Sequence, residues 1–290
     1  MMSFKQDAKR RKKFERLRMS QNAAGIKVGS PDNLVCPLCW KGVAFEDLTL
    51  EHIIPKSLCG TRETLTCQNC NKSAGDDLDN HLTGYQRYSE AWNGFGSLKM
   101  TMDVNEHRLA VRMTRDPSKP STDFQIIGKA SSPAAIQAAQ IEFKKGSVNE
   151  MNAKFSYGYN DRRRQLALLK AAYLATFHRF GYLFISRPGL QRIRQLVADR
   201  ELNSPDLNGV CGEMNLPHEV YDKQILYLSA KFSEADFVWV VLKCRLLTTV
   251  YRFVMLPIDE QSDEIFTALA QHAKSHPNSV ATLKPEQFTL

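Results

Sequence analysis

Apolar residues return at three- and four-residue steps through Leu166, Leu169, Tyr173, Phe177 and Phe180, which predicts a helix over 161–180 with one buried stripe. Ser132-Pro133 pairs a capping hydroxyl with a proline at the first helical position and predicts a second helix running through Lys145. Elsewhere the period drops to two. Leu98–Asp103 and Arg108–Thr114 alternate around Val104-Asn105-Glu106-His107 as a hairpin, with a third strand at Phe124–Ile127. Gln224–Ser229, Phe237–Cys244 and Leu247–Leu256 follow as consecutive strands, then an amphipathic helix at about 262–274. Tyr182–Ile185 precedes a short basic helix at 190–201, and residues 203–217, rich in Asn, Gly and Pro, read as a loop. Strands and helices without strict alternation predict an α+β fold.

The first eighteen residues do not follow either period. They carry eight basic side chains against two acidic ones with poor apolar spacing, so residues 1–30 are expected to be a basic N-terminal arm, an exposed arm or helix that orders on nucleic acid and not a core element. Lys9, Arg10, Arg11, Lys12 and Lys13 are its candidate contacts. Net charge then alternates: −4 over 31–90, +10 over 91–200 and −5 over 201–290. Any polyanion bound near 31–90 must therefore be drawn in by the neighbouring segments. Arg162, Arg163 and Arg164 open the helix at 161, where the macrodipole disfavours each cation by roughly 0.3–1 kcal/mol. Their expected partner is either a phosphate or the acidic face of 31–90. The acidic C-terminal third is the surface left for a second copy of the chain or a regulator.

With 290 residues, 43% hydrophobic content and no apolar run of about eighteen, the chain is expected to be soluble, to hold two domains and to make no membrane contact. Its basic start and odd count of seven cysteines predict a cytoplasmic protein without a secretory signal.

The chemistry is concentrated in CPLCWKGVAFEDLTLEHIIPKSLCGTRETLTCQNCNKSAG, residues 36–75. Cys36, Cys39, Cys67 and Cys70 form two Cys-x-x-Cys knuckles whose four thiolates suit a tetrahedral structural zinc. Between them, a strand ending in Glu51-His52 puts adjacent side chains on opposite faces, and Pro55 turns the chain outward. Asn71 starts a predicted short helix over 71–84, which the zinc would staple to the hairpin.

The combination of Cys-x-x-Cys, Glu-His-Ile-Ile-Pro, Cys-x-x-Cys-Asn and Gly-Asp-Asp-Leu-Asp resembles the HNH endonuclease family, in its zinc-stapled ββα-metal branch, over about residues 33–84. The resemblance implies a small HNH module at 31–90 and leaves 91–290 as a mixed α+β accessory domain. It further implies hydrolysis of phosphodiester bonds in DNA, with RNA as the alternative substrate. His52 would be the general base that activates water, since imidazole exchanges protons near working pH. Glu51 and Asn71 would hold a catalytic Mg²⁺ or Mn²⁺ through hard oxygen donors. Two positions depart from the family. The asparagine that commonly orients the histidine is replaced within Arg62-Glu63-Thr64-Leu65-Thr66, making Thr64 or a backbone carbonyl the candidate substitute. The usual Gly-Gly reads Cys59-Gly60. Asp79 is a further candidate to orient the base or reach the metal. The missing asparagine also motivates an alternative: a zinc-containing nucleic-acid-binding protein whose active site has decayed.

Overall fold

The computed structural model describes residues 4–30, 32–119, 122–127, 131–155, 158–202, 206–215, 224–232, 235–244, 250–258 and 262–275. They form two compact units, one from Met1–Leu82 with Asn160–Leu290 and one from Thr83–Tyr159. The antiparallel sheets and the helices make an α+β protein. This division differs from the one expected at residues 30 and 90, because elements distant in sequence pack around one helix.

In the first unit, α1 (Phe4–Ala23) precedes two short hairpins. One joins β1 (Asn33–Val35) to β2 (Gly42–Ala44), and the other joins β3 (Leu48–His52) to β4 (Glu63–Cys67). Helix α2 (Gln68–Ala74) follows, then a π turn at Gly75–Asp79 and α3 (Asn80–Trp92), so the helix predicted at 71–84 starts earlier and runs on. The loop between β3 and β4 keeps a glycine's geometry without two glycines. Cys59 takes a left-handed φ of 61°, and a Cβ at Gly60 would collide with the Ile54 carbonyl oxygen. A Cys59→Gly change would relieve strain on the order of 1 kcal/mol.

The second unit is an antiparallel sheet in the order β7-β6-β5-β8, with β5 at Leu98–Val104, β6 at His107–Arg115, β7 at Thr122–Ile126 and β8 at Met151–Phe155. Leu98, Met100, Met102 and Val104 alternate inward from β5 against Ala139 of α4 (Pro133–Lys145). Ser132 caps α4 by accepting from the Ala135 amide, as its sequence signature requires. β8 was not foreseen.

The chain then returns to the first unit through α5 (Asp161–Phe180), α6 (Tyr182–Ile185) and α7 (Pro188–Ala198). A second sheet, ordered β10-β11-β12-β9, comprises β9 (Cys211–Asn215), β10 (Ile225–Phe232), β11 (Ala235–Leu242) and β12 (Val250–Pro257). Helix α8 (Ser262–Ser275) closes the described chain. β9 lies where a loop was expected. Residues 203–205 and 216–217 of that loop, and 247–249 of the predicted last strand, lie outside the described residues.

Helix α5 is not the one-sided helix its apolar spacing suggested. Every residue from Gln165 to Phe177 is buried, including Lys170, because the HNH-like hairpins, α7 and the second sheet surround it. Helix α1 is likewise a core element rather than an arm. Its inward stripe is Arg10, Phe14, Leu17 and Gln21, whose polar members hid it from an apolar count. Those heads are satisfied by backbone: Arg10 Nη2 donates to the Phe45 carbonyl at 2.7 Å, and Gln21 Oε1 accepts from the Val35 amide at 2.7 Å.

Candidate active site

The two knuckles bring their sulfurs together. All four ligand atoms of Cys36, Cys39, Cys67 and Cys70 lie within 4.8 Å of one another, and Cys39 Sγ is 3.9 Å from Cys67 Sγ. A tetrahedron with Zn–S bonds of about 2.3 Å requires S···S separations of about 3.8 Å, so the four cysteines fit a structural zinc. Hydrogen bonds from Cys36 pull the Cys39 and Cys67 thiols down to about 5 and about 6, while the same bonds push the Cys36 thiol up, so the four sulfurs share protons that a metal would displace. Between these knuckles, β3 and β4 pair in a fixed register that sets Glu51 opposite Thr64 and His52 opposite Glu63.

His52 is accordingly oriented by Glu63, with its Nε2 3.3 Å from Glu63 Oε1 and its side chain 31% exposed. With Nε2–H directed at the carboxylate, Nδ1 is the ring nitrogen left to take a proton. Thr64, one of the two candidate orienting groups, does not fill that role. It is fully buried on the opposite face, and its hydroxyl has no hydrogen-bond partner among the described residues. Glu63 was missed, although counting back along an antiparallel hairpin from Cys67 would have placed it across from His52.

Glu51 turns the other way, into the interior. It is 2% exposed, and its Oε1 accepts from Lys170 Nζ at 2.6 Å. The same ammonium, wholly buried, lies 2.7 Å from Asp79 Oδ1. Desolvation opposes the charge on Lys170, yet the two carboxylates outweigh it and hold the lysine above its ordinary pKa. Burial raises the Glu51 carboxyl against the pull of Lys170. Asn71 uses its amide to bond Thr49 Oγ1 at 2.9 Å and the Leu50 carbonyl at 3.2 Å, latching α2 to β3. Glu51 and Asn71 therefore do not fit a Mg²⁺ or Mn²⁺ ion as arranged. Lysine occupies the carboxylate, and a dication beside it would face an ammonium in the same buried space. Asp79 serves Lys170 rather than His52.

The expected nucleic-acid contacts are mostly committed within the chain. Lys9 pairs with Glu63 at 2.5 Å, Arg10 is buried, and Arg11 stacks over the Phe45 ring at 4.3 Å, leaving Lys12 exposed. Lys13 Nζ donates to the Glu63 carbonyl at 2.6 Å. Of the arginines opening α5, Arg162 bonds the Leu202 carbonyl, Arg163 pairs with Asp77 and Glu201, and Arg164 pairs with Asp161. Arg200 joins Asp77 at 2.6 Å. The acidic face of the motif, not a phosphate, is thus the partner of Arg163.

A different basic group stands open beside the hairpin. Arg16, Arg62, His178 and Arg179, with Ile225 and Tyr227, line a pocket of about 340 Å³. Burial pushes His178 down to about 4, with Lys13, Arg16 and Arg62 adding to it. The folded state thus resists a proton that the unfolded chain accepts near 6.5, so this stability is whole above about 6.5 and is lost as pH falls toward about 4. Wild-type protein is expected to lose more urea resistance than His178→Gln between about pH 7 and about pH 5. Equal losses would remove His178 from the account.

Comparison with known families bears on the segment just described. Residues 36–85 match the model of the HNH endonuclease family. No curated protein and no solved structure matches the chain. Within the HNH segment lie the four cysteines, Glu51, His52, Glu63, Asn71 and Asp79; Lys170 and the Arg16 and Arg179 side chains come from outside it.

Proposed function

We propose that the protein is an HNH-type endonuclease that hydrolyses phosphodiester bonds in DNA, with His52 as general base. The observation carrying this reading is the His52–Glu63 pair, set across a cysteine-anchored hairpin inside the matched HNH segment. Glu63 fixes the imidazole's tautomer and orientation. Nδ1 then withdraws a proton from the attacking water as its oxygen bonds to phosphorus and the P–O bond to the leaving strand breaks, help worth about 10²–10⁴-fold. Glu63 also shares a charge with Lys9, so the base sits in a network tied to α1.

The HNH family's Mg²⁺ or Mn²⁺ enters no step of this reading, since Glu51 is engaged by Lys170. That ion pair favours one alternative: a zinc-bearing nucleic-acid-binding protein whose catalytic metal site has become a structural salt bridge. Incubating the protein with plasmid, linear duplex, single-stranded DNA and RNA in Mg²⁺ or Mn²⁺ separates the two. We expect wild-type cleavage that falls about 10²–10⁴-fold in His52→Ala with nucleic-acid affinity kept. Intact substrate that the wild-type protein nevertheless retains in a gel shift would favour the binding alternative instead.

A further inference from the structure

The pocket next to the hairpin combines features that the catalytic reading leaves unused. Its cationic walls come from three separate elements: Arg16 from α1, Arg62 from the residue preceding β4, and His178 with Arg179 from the end of α5. Among the described residues, no carboxylate pairs with Arg16, Arg62 or Arg179. Three guanidinium groups facing one concavity without counter-ions repel each other, and a fold keeps such an arrangement at a cost unless an anion completes it.

The walls are fixed before any ligand arrives. Gln224 stitches the β3–β4 loop to the start of β10, accepting from the Thr61 amide at 3.1 Å and the Thr61 hydroxyl at 3.0 Å, and donating to the Cys59 carbonyl at 2.8 Å. Tyr227 is held by a bond to the Ala175 carbonyl at 2.9 Å and by an edge contact with Phe180. Arg16 Nη2 bonds the His178 carbonyl at 3.1 Å and lies 3.4 Å from its Nδ1. His178 Nδ1 is then the acceptor, and Nε2–H remains a neutral donor. Arg16, held in place, and a neutral N–H offer donors to a phosphate's oxygens, and the exposed Arg62 and Arg179 guanidiniums can close on it.

Position gives this anion site a meaning. The Ile53 amide donates to the Arg62 carbonyl at 3.0 Å, one rung along the ladder from the His52–Glu63 pair. We propose that the pocket formed by Arg16, Arg62, His178 and Arg179 binds a backbone phosphate of the nucleic acid and thereby sets the strand beside His52. The proposal rests on the nuclease reading and names where that substrate is gripped.

Anisotropy titrations of a fluorescein-labelled duplex and of the matching single strand, with the full chain over a KCl series, test it. Arg62→Ala and Arg179→Ala should each weaken binding, and the double variant should reduce the slope of log K against log salt by about 0.9 on duplex or about 0.7 on single strand, the loss of one phosphate contact. Both arginines are solvent-exposed and lack ion pairs, so the variants should fold with a melting temperature no lower than the wild type's. An Arg62→Ala/Arg179→Ala double variant with wild-type affinity and slope would overturn the proposal. A second measurement needs no variant: inorganic phosphate should shift the ring resonances of His178 saturably and leave those of His81 in place, and an indifferent His178 would overturn it as well. Both readouts are of binding, so their failure sinks the pocket alone. Failure of the wild-type protein to cut while these shifts persist sinks the nuclease reading alone.

Discussion

Cys67→Ser, or removal of the metal with a strong chelator, is expected to unfold the segment from Asn33 to Ala74 and to abolish any cleavage with it. Short strands of three to five residues cannot hold this hairpin pair alone, since two-stranded hairpins are marginal in water. Cys67 has three duties: it supplies a sulfur to the cluster, its Sγ accepts from the Cys70 amide at 3.4 Å as the N-cap of α2, and it ends β4. Structural zinc sites of this type bind with about 10–16 kcal/mol, as much as the whole stability of a typical domain. Leu34, Leu38, Leu48 and Leu65 also pack into the main core, so the rest of the first unit should stay collapsed while the motif loses protection. Elemental analysis should give one zinc per chain, and hydrogen exchange should show the loss confined to the motif and to the α1 and α5 faces against it. Metal-free protein with full protection of 33–74 would show that sulfur packing alone suffices.

Lys170→Met is expected to destabilise the protein by about 3–5 kcal/mol, the cost of breaking a buried ion pair by removing one partner. Here one ammonium serves two carboxylates at 2.6 and 2.7 Å, so its loss leaves Glu51 and Asp79 facing each other in the interior. A triple variant Glu51→Gln/Asp79→Asn/Lys170→Met should recover much of the loss, because neutral groups of similar size carry a smaller desolvation penalty. Urea unfolding of the single and triple variants measures both quantities. A Lys170→Met protein within about 0.5 kcal/mol of wild type, the range of ordinary surface changes, would mean the triad is not a stabilising contact. The same contact explains why the HNH segment cannot be treated as an autonomous module: its acidic run is neutralised by a helix that begins 82 residues after Asp79.

Local signals carried the parts of this fold that depend on local physics. Ser132-Pro133 marks α4 because capping and a preset φ act within one turn, and the strand ending at His52 is legible because Pro55 stops the ladder. The cysteine spacing likewise announced a cluster that four sulfurs then form. Long-range polar burial was not legible. Arg10 and Gln21 look like surface residues until Phe45 and Val35 offer them backbone partners, and Glu51 looks like a metal ligand until a lysine 119 positions later reaches it. Glu63 lies between these cases, since its place opposite His52 follows from hairpin register once both strand ends are known. β8 and β9 escaped because short strands with mixed composition carry little period of their own.

The second unit leaves the first after Leu82 and the chain re-enters at Asn160, and there the Asn160 amide donates to His81 Nδ1 at 3.0 Å. The two stems are thus already clasped at their base. Replacing residues 83–159 with a short glycine-serine bridge, which truncates α3 after Leu82, is therefore expected to leave the first unit folded.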